Sequence, residues 1–84
     1  MAERKEPMRI VIENLPKDVS EEEIREALSR WAQVGRIKLI TEGSAPATVV
    51  EVETRELADS LVSHINGHFY KGRRIAAWVP LWND

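Results

Sequence analysis

The 84-residue chain has no cysteine. No disulfide and no thiolate-bound metal can therefore support its fold, and nothing in it marks an oxidising compartment. Long apolar runs are missing too, with no stretch near the ~18 residues of a membrane span. The N-terminal MAERKEP is charged with no apolar segment behind it, so neither secretion nor membrane insertion is expected, which leaves the cytoplasm or nucleus. There is no glycine-rich phosphate loop. His64 and His68 stand four apart, but no carboxylate or cysteine accompanies them at ligand spacing, so zinc is not expected. Ser20, Ser29, Ser44, Ser60 and Ser63 have no partner histidine in a recognisable arrangement. Neither an enzyme nor a cofactor is expected. An excess of positive charge is also lacking: 12 basic against 14 acidic residues leave a net charge of −2. Phosphate neutralisation supplies most non-specific nucleic-acid affinity, so tight, sequence-independent binding is disfavoured.

What is present suffices for one small domain. The apolar share is 43%, and a chain of this length buries only ~60–65% of the surface its unfolded form exposes. Residues 1–7 read as an N-terminal tail, 8–80 as the domain and 81–84 as a C-terminal tail. RIVIENLP alternates, with Ile10 and Ile12 on one face and Arg9, Val11 and Glu13 on the other. Ser20 and Glu23 form a capping box, with Glu23 reaching back to the cap. Ile24, Ala27, Leu28 and Trp31 then make one apolar helical stripe, which Gly35 stops. RIKLIT alternates again, putting Ile37 and Leu39 inward. EGSAPA is a turn. ATVVEVE is a third strand with Val50 and Val52 inward and Ala47, Val49 and Glu51 outward. Thr54 caps a second helix with the stripe Leu57, Ala58, Leu61, Val62 and Ile65. Asn66 and Gly67 close it in the left-handed conformation both residues tolerate. HFYKG is a loop, and RRIAAWV a fourth strand with Ile75, Ala77 and Val79 inward and Arg74, Ala76 and Trp78 outward. The order is β-α-β-β-α-β: an α+β, ferredoxin-like sandwich with a four-stranded antiparallel sheet and both helices on one face.

Particular residues carry a family resemblance. Ile10-Val11-Ile12-Glu13-Asn14-Leu15 resembles the first-strand hexamer of an RNA recognition motif. Ala58, Ile65-Asn66-Gly67 and Gly72-Arg73 fall at that family's spacings, and the likeness runs from residue 8 to 79. The resemblance implies a non-enzymatic RNA-binding module. Yet the family's stacking aromatics are replaced by Val11, Ala47 and Val49. At ~1–3 kcal/mol per stacked base, losing two or three of them removes roughly two to four orders of magnitude in affinity. What RNA binding remains is expected to be weak and to fall on Trp78 with Val11 and Val49, rimmed by Arg9, Arg36, Lys38 and Arg74. Lys71 and Arg73 complete that basic rim. The same apolar face can instead dock a protein, associate with itself, or lie under PLWND through Leu81 or Trp82.

A second resemblance concerns His68-Phe69-Tyr70-Lys71-Gly72-Arg73, which is similar to the Arg-any-Phe loop of U2AF-homology motifs. Those domains take a Trp-containing peptide between their helices, its basic residues meeting acids of the first helix. The resemblance implies a protein-binding role for Glu22, Glu26, His68, Phe69 and Tyr70, with Glu21 and Glu23 alongside. Here His68 stands for the motif's Arg and Tyr70 for its Phe. The plainer reading is preferred: Phe69 or Tyr70 plugs the core, and the glutamates favour a helix N-terminus. Single-stranded RNA, bound weakly, and a protein are thus the candidate partners, with no membrane role.

Overall fold

The computed structural model describes residues 8–80; the two tails lie outside them. Strand β1 (Met8–Glu13) leads to helix α1 (Glu21–Leu28), then strands β2 (Ile37–Ile40) and β3 (Ala47–Val52). Helix α2 (Arg55–Ile65), a short pair β4 (Phe69–Tyr70) and β5 (Arg73–Arg74), and strand β6 (Ala76–Trp78) follow. The main sheet has the order β2-β3-β1-β6, and every neighbouring pair is antiparallel. The expected four-stranded sheet is therefore present, its fourth strand being β6.

Alternation sets the core. Ile10, Ile12, Val50, Val52 and Ile37 are buried beneath Ile24 and Leu28 of α1 and Ala58, Leu61 and Ile65 of α2. Thr48, the one buried polar residue among the described residues, donates to the Lys38 carbonyl at 2.9 Å. Both helices start where expected. The Ser20 hydroxyl accepts from the Glu23 N–H and the Thr54 hydroxyl from the Leu57 N–H, each at 3.1 Å. Such caps satisfy donors that the helix itself leaves free.

Five local expectations are corrected. Helix α1 ends at Leu28, not at Gly35: Ser29 is its C-cap, with its hydroxyl on the Glu26 carbonyl at 2.8 Å, and the next turn tightens so that the Trp31 N–H donates to the Leu28 carbonyl at 2.9 Å. Trp31, placed in the core by helical periodicity, consequently lies beyond the helix and is 38% exposed. Val34 takes the buried position instead, its carbonyl accepting from Arg25 Nη1 at 3.1 Å. At the end of α2 only Gly67 is left-handed, at φ 85°. Asn66 has φ −63°, and its Oδ1 accepts the Ala77 N–H at 3.1 Å, tying the helix end to β6.

The last two corrections concern the stretch from 68 to 79. The HFYKG segment is not a loop but a hairpin, with Phe69 opposite Arg74 and Tyr70 opposite Arg73. Lys71 and Gly72 form its turn at φ 52° and 84°, the two positive values a type I′ turn demands. The expected fourth strand is accordingly divided. Its first part pairs back on β4 and its second pairs with β1.

Candidate nucleic-acid interface

Strand register builds the open sheet face row by row. Val11 lies opposite Val49 on one side and Trp78 on the other, and Val49 lies opposite Lys38. One line of side chains thus crosses the whole sheet: Lys38, Val49, Val11, Trp78. Because successive residues of a strand alternate faces, and Ile10, Ile12, Val50 and Ala77 are buried, this line faces away from the helices. Trp78 ends it at 40% exposure. The next line contains Ile40 opposite Ala47, and Glu13 opposite Ala76. The face is a shallow apolar strip with one large ring at its edge.

Its charges are mixed. Arg9 lies opposite Glu51 and ion-pairs with it at 3.8 Å, and the Glu51 N–H donates to the Arg36 carbonyl at 2.9 Å. A carboxylate therefore sits between two of the expected phosphate-binding arginines. Exposed pairs of this kind are worth ~0–1 kcal/mol in stability, but the acid still offsets positive potential locally. Glu13 adds a second negative charge beside Ala76. Sequence reading placed both acids outward yet left them out of the rim. Lys38 and Arg74 are exposed.

The hairpin divides the remaining candidates between two sides. Tyr70 packs against the core, and its hydroxyl donates to the Glu23 carboxylate, to which Lys71 is also bound. The Lys71 and Tyr70 hydrogen bonds hold the Glu23 carboxyl below the ordinary carboxylate range. Burial, with the bond to Glu23, pushes the Tyr70 phenol up, and the Glu23 bond likewise raises Lys71. Arg73 donates to the Asn14 carbonyl and, at 2.7 Å, to Asn14 Oδ1, while Asn14 Nδ2 donates to the Arg74 carbonyl at 2.9 Å. Asn14 makes these contacts from a left-handed φ of 68°. Lys71 and Arg73 thus fasten the hairpin and are not part of the sheet's rim. Phe69 does not plug the core: it is 64% exposed, with the Arg74 guanidinium 5.6 Å from its ring centroid.

On the helix side, a pocket of about 280 Å³ opens beside α1. Leu28, Arg30, Trp31, Ile65, His68 and Tyr70 are among its lining residues. Trp31 stacks on His64 at 5.2 Å and meets His68 edge-on at 6.5 Å. Of the residues assigned to peptide binding, His68 and Tyr70 reach this pocket, Glu22 and Glu26 stand exposed on α1, and Phe69 is not in its lining. Trp31 was missed as a site residue because its spacing also fits a core stripe. Among the described residues no His, Cys, Asp and Glu cluster could hold a metal ion, and no helix is long and apolar enough to cross a membrane.

Comparison with known proteins agrees with this architecture. The C. elegans NONO-1 homodimer structure aligns at TM-score 0.80 and 24% identity over 95% of this chain and 33% of that one, so the present chain spans a third of its length. RNA Binding Protein PG1 gives 0.76 at 23% identity, covering 88% and 94% of the two chains. The RRM domain of S. pombe Puf1 gives 0.78 at 16%, covering 88% and 89%. At such identities these likenesses establish the fold alone. No curated protein sequence matches. The family model of the RNA recognition motif, a non-enzymatic RNA-binding domain, matches residues 10–76. With that match lying over the β-α-β-β-α-β core, the chain belongs to the RNA recognition motif family.

Proposed function

We propose that this domain binds single-stranded RNA weakly across its open sheet face. Trp78 stacks on a base, Val11 and Val49 form an apolar floor, and Arg9, Arg36, Lys38 and Arg74 meet phosphates. The observation that carries this reading is the cross-sheet line from Lys38 through Val49 and Val11 to Trp78. It offers a cation and a π-face on one surface, the pairing that single-stranded nucleic acid requires. With one ring where the family has three, and with Glu13 and Glu51 among the cations, affinity is expected near roughly 10 μM or weaker at physiological salt. Fluorescence anisotropy with a labelled mixed-sequence RNA octanucleotide tests it. Binding should weaken as salt rises, and Trp78→Ala should weaken it about 5- to 150-fold. Nanomolar, salt-insensitive binding, or indifference to Trp78→Ala, would falsify the reading.

A second reading draws on the helix-side pocket: a basic peptide inserts an aromatic residue between Trp31 and Tyr70 and meets Glu22 and Glu26. The pocket's position beside that acidic helix favours it. Chemical-shift mapping with a Trp-containing basic peptide checks this. Perturbations confined to Leu28, Trp31 and His68 support it, and none at those residues rejects it.

A further inference from the structure

We infer that the β4–β5 hairpin is a second RNA-stacking position, built from Phe69 and Arg74. The inference rests on the sheet-face reading above and extends it beyond β6. Among the described residues Phe69 is the most exposed of the large hydrophobics at 64%, an expensive way to leave a ring in water. It is held there by construction. Tyr70 and Arg73, the other cross-strand pair, are fastened to Glu23 and Asn14, and the turn between them fixes the ribbon. Since alternate residues take opposite sides, pinning that pair presents Phe69 and Arg74 outward. The same alternation runs on from Arg74 through Ala76 to Trp78, with Ile75 and Ala77 buried between them, so the hairpin surface continues the sheet face.

Along that strand Arg74 and Trp78 are separated by roughly 13 Å, at ~3.3 Å per residue. One base cannot cover both rings, so they serve different nucleotides of one strand. The chemistry fits RNA better than a protein partner. A flat π-face beside an exposed guanidinium supplies stacking and phosphate contact together. Arg74 is the cross-strand neighbour of Phe69, and Glu13 lies opposite Ala76 in the sheet row nearest to them, so charges flank the ring where a protein anchor fills a desolvated apolar site.

The test titrates the RNA octanucleotide into the unaltered protein and into Phe69→Ala, Phe69→Leu, Trp78→Ala and Arg74→Gln. Phe69→Ala should weaken binding about 5- to 150-fold with the melting curve little changed. Phe69→Leu should weaken it similarly, since it keeps apolar bulk and loses the ring. Arg74→Gln should lower the salt slope by about one. If Trp78→Ala weakens binding and neither Phe69 variant does, the hairpin position is overturned and the sheet reading stands. If the Phe69 variants weaken binding and Trp78→Ala does not, the hairpin is upheld and the Trp78 reading fails. Should Phe69 and Arg74 amides respond to a Trp-containing basic peptide and not to RNA, the hairpin is a protein contact and the inference is wrong.

Discussion

Leu61 and Trp31 give a sharp test of how the core is assembled, because the larger side chain should matter less. Leu61, on the buried side of α2, is 1% exposed. Leu61→Ala removes three carbons, ~2.4 kcal/mol at ~0.8 per buried methylene. The cavity left in a packed interior brings the expected cost to about 2.5–5 kcal/mol. Against a total stability of about 4–13 kcal/mol for this length, that is a large share. Trp31 lies past the end of α1, 38% exposed, touching His64 and His68 on one side. Fully buried Trp→Ala changes cost ~3–5 kcal/mol, so a one-sided contact should cost about 1–2. Urea denaturation followed by far-UV circular dichroism separates the two. With a slope near ~1 kcal/mol/M, Leu61→Ala should lower the midpoint by about 2.5 M or more, and Trp31→Ala by about 1–2 M. Equal losses would mean that α1 continues through Trp31 and that the helix faces are wrongly placed.

Three further outcomes are expected. The Glu23 carboxyl is lowered from its ordinary value of 4.5, so its stabilisation is present above that value and is lost as pH falls through the lower folded-state pKa. Glu23→Gln should therefore flatten the acid limb of a stability-against-pH curve, and an unchanged limb would show that the hairpin clamp does not contribute. Gly72→Ala should cost about 1–2 kcal/mol, since φ is 84° there, whereas Gly35→Ala, with only ordinary contacts at 3.6 Å or more, should change the melting temperature little. Asn14→Gly keeps the left-handed backbone and the bond from Arg73 Nε to the carbonyl of residue 14 but deletes the two side-chain hydrogen bonds to β5, so a loss of about 1 kcal/mol, with hydrogen exchange accelerated at Arg73 and Arg74, is expected.

Periodicity made the main sheet and both helix starts legible. Ile10, Ile12, Val50 and Val52 alternate, and Ser20 and Thr54 announce their helices by chemistry that acts locally. The misreadings lie where local signals were weak or borrowed. Trp31 continues a 3.6-residue stripe, and nothing in that spacing says that the helix will stop at Leu28 with Ser29 as its C-cap. Lys71-Gly72 lacks the Asn-Gly signature of a type I′ turn, so the hairpin read as a loop, and the spacing left open whether Phe69 or Tyr70 meets the core, which Tyr70 does. Whether Lys71 and Arg73 face RNA or fasten a ribbon depends on partners 48 and 59 positions away, Glu23 and Asn14. Strand alternation cannot report such distant partners. The outward acids Glu13 and Glu51 were visible, but only the cross-strand register shows which cations they sit beside.

The ribbon of β4 and β5 has two faces and no layer between them. Tyr70 belongs to the wall of the helix-side pocket, while its neighbour Phe69 stands on the opposite surface. Any rotation of the ribbon that widens the pocket must re-aim the outer ring by the same angle, since no intervening layer can absorb the movement. Were both sides occupied as proposed, their occupancies would be linked, and by thermodynamic reciprocity each ligand would alter the other's affinity by one common factor. A domain with so small a core would in that way behave as a balance, with Asn14 and Glu23 as its pivots.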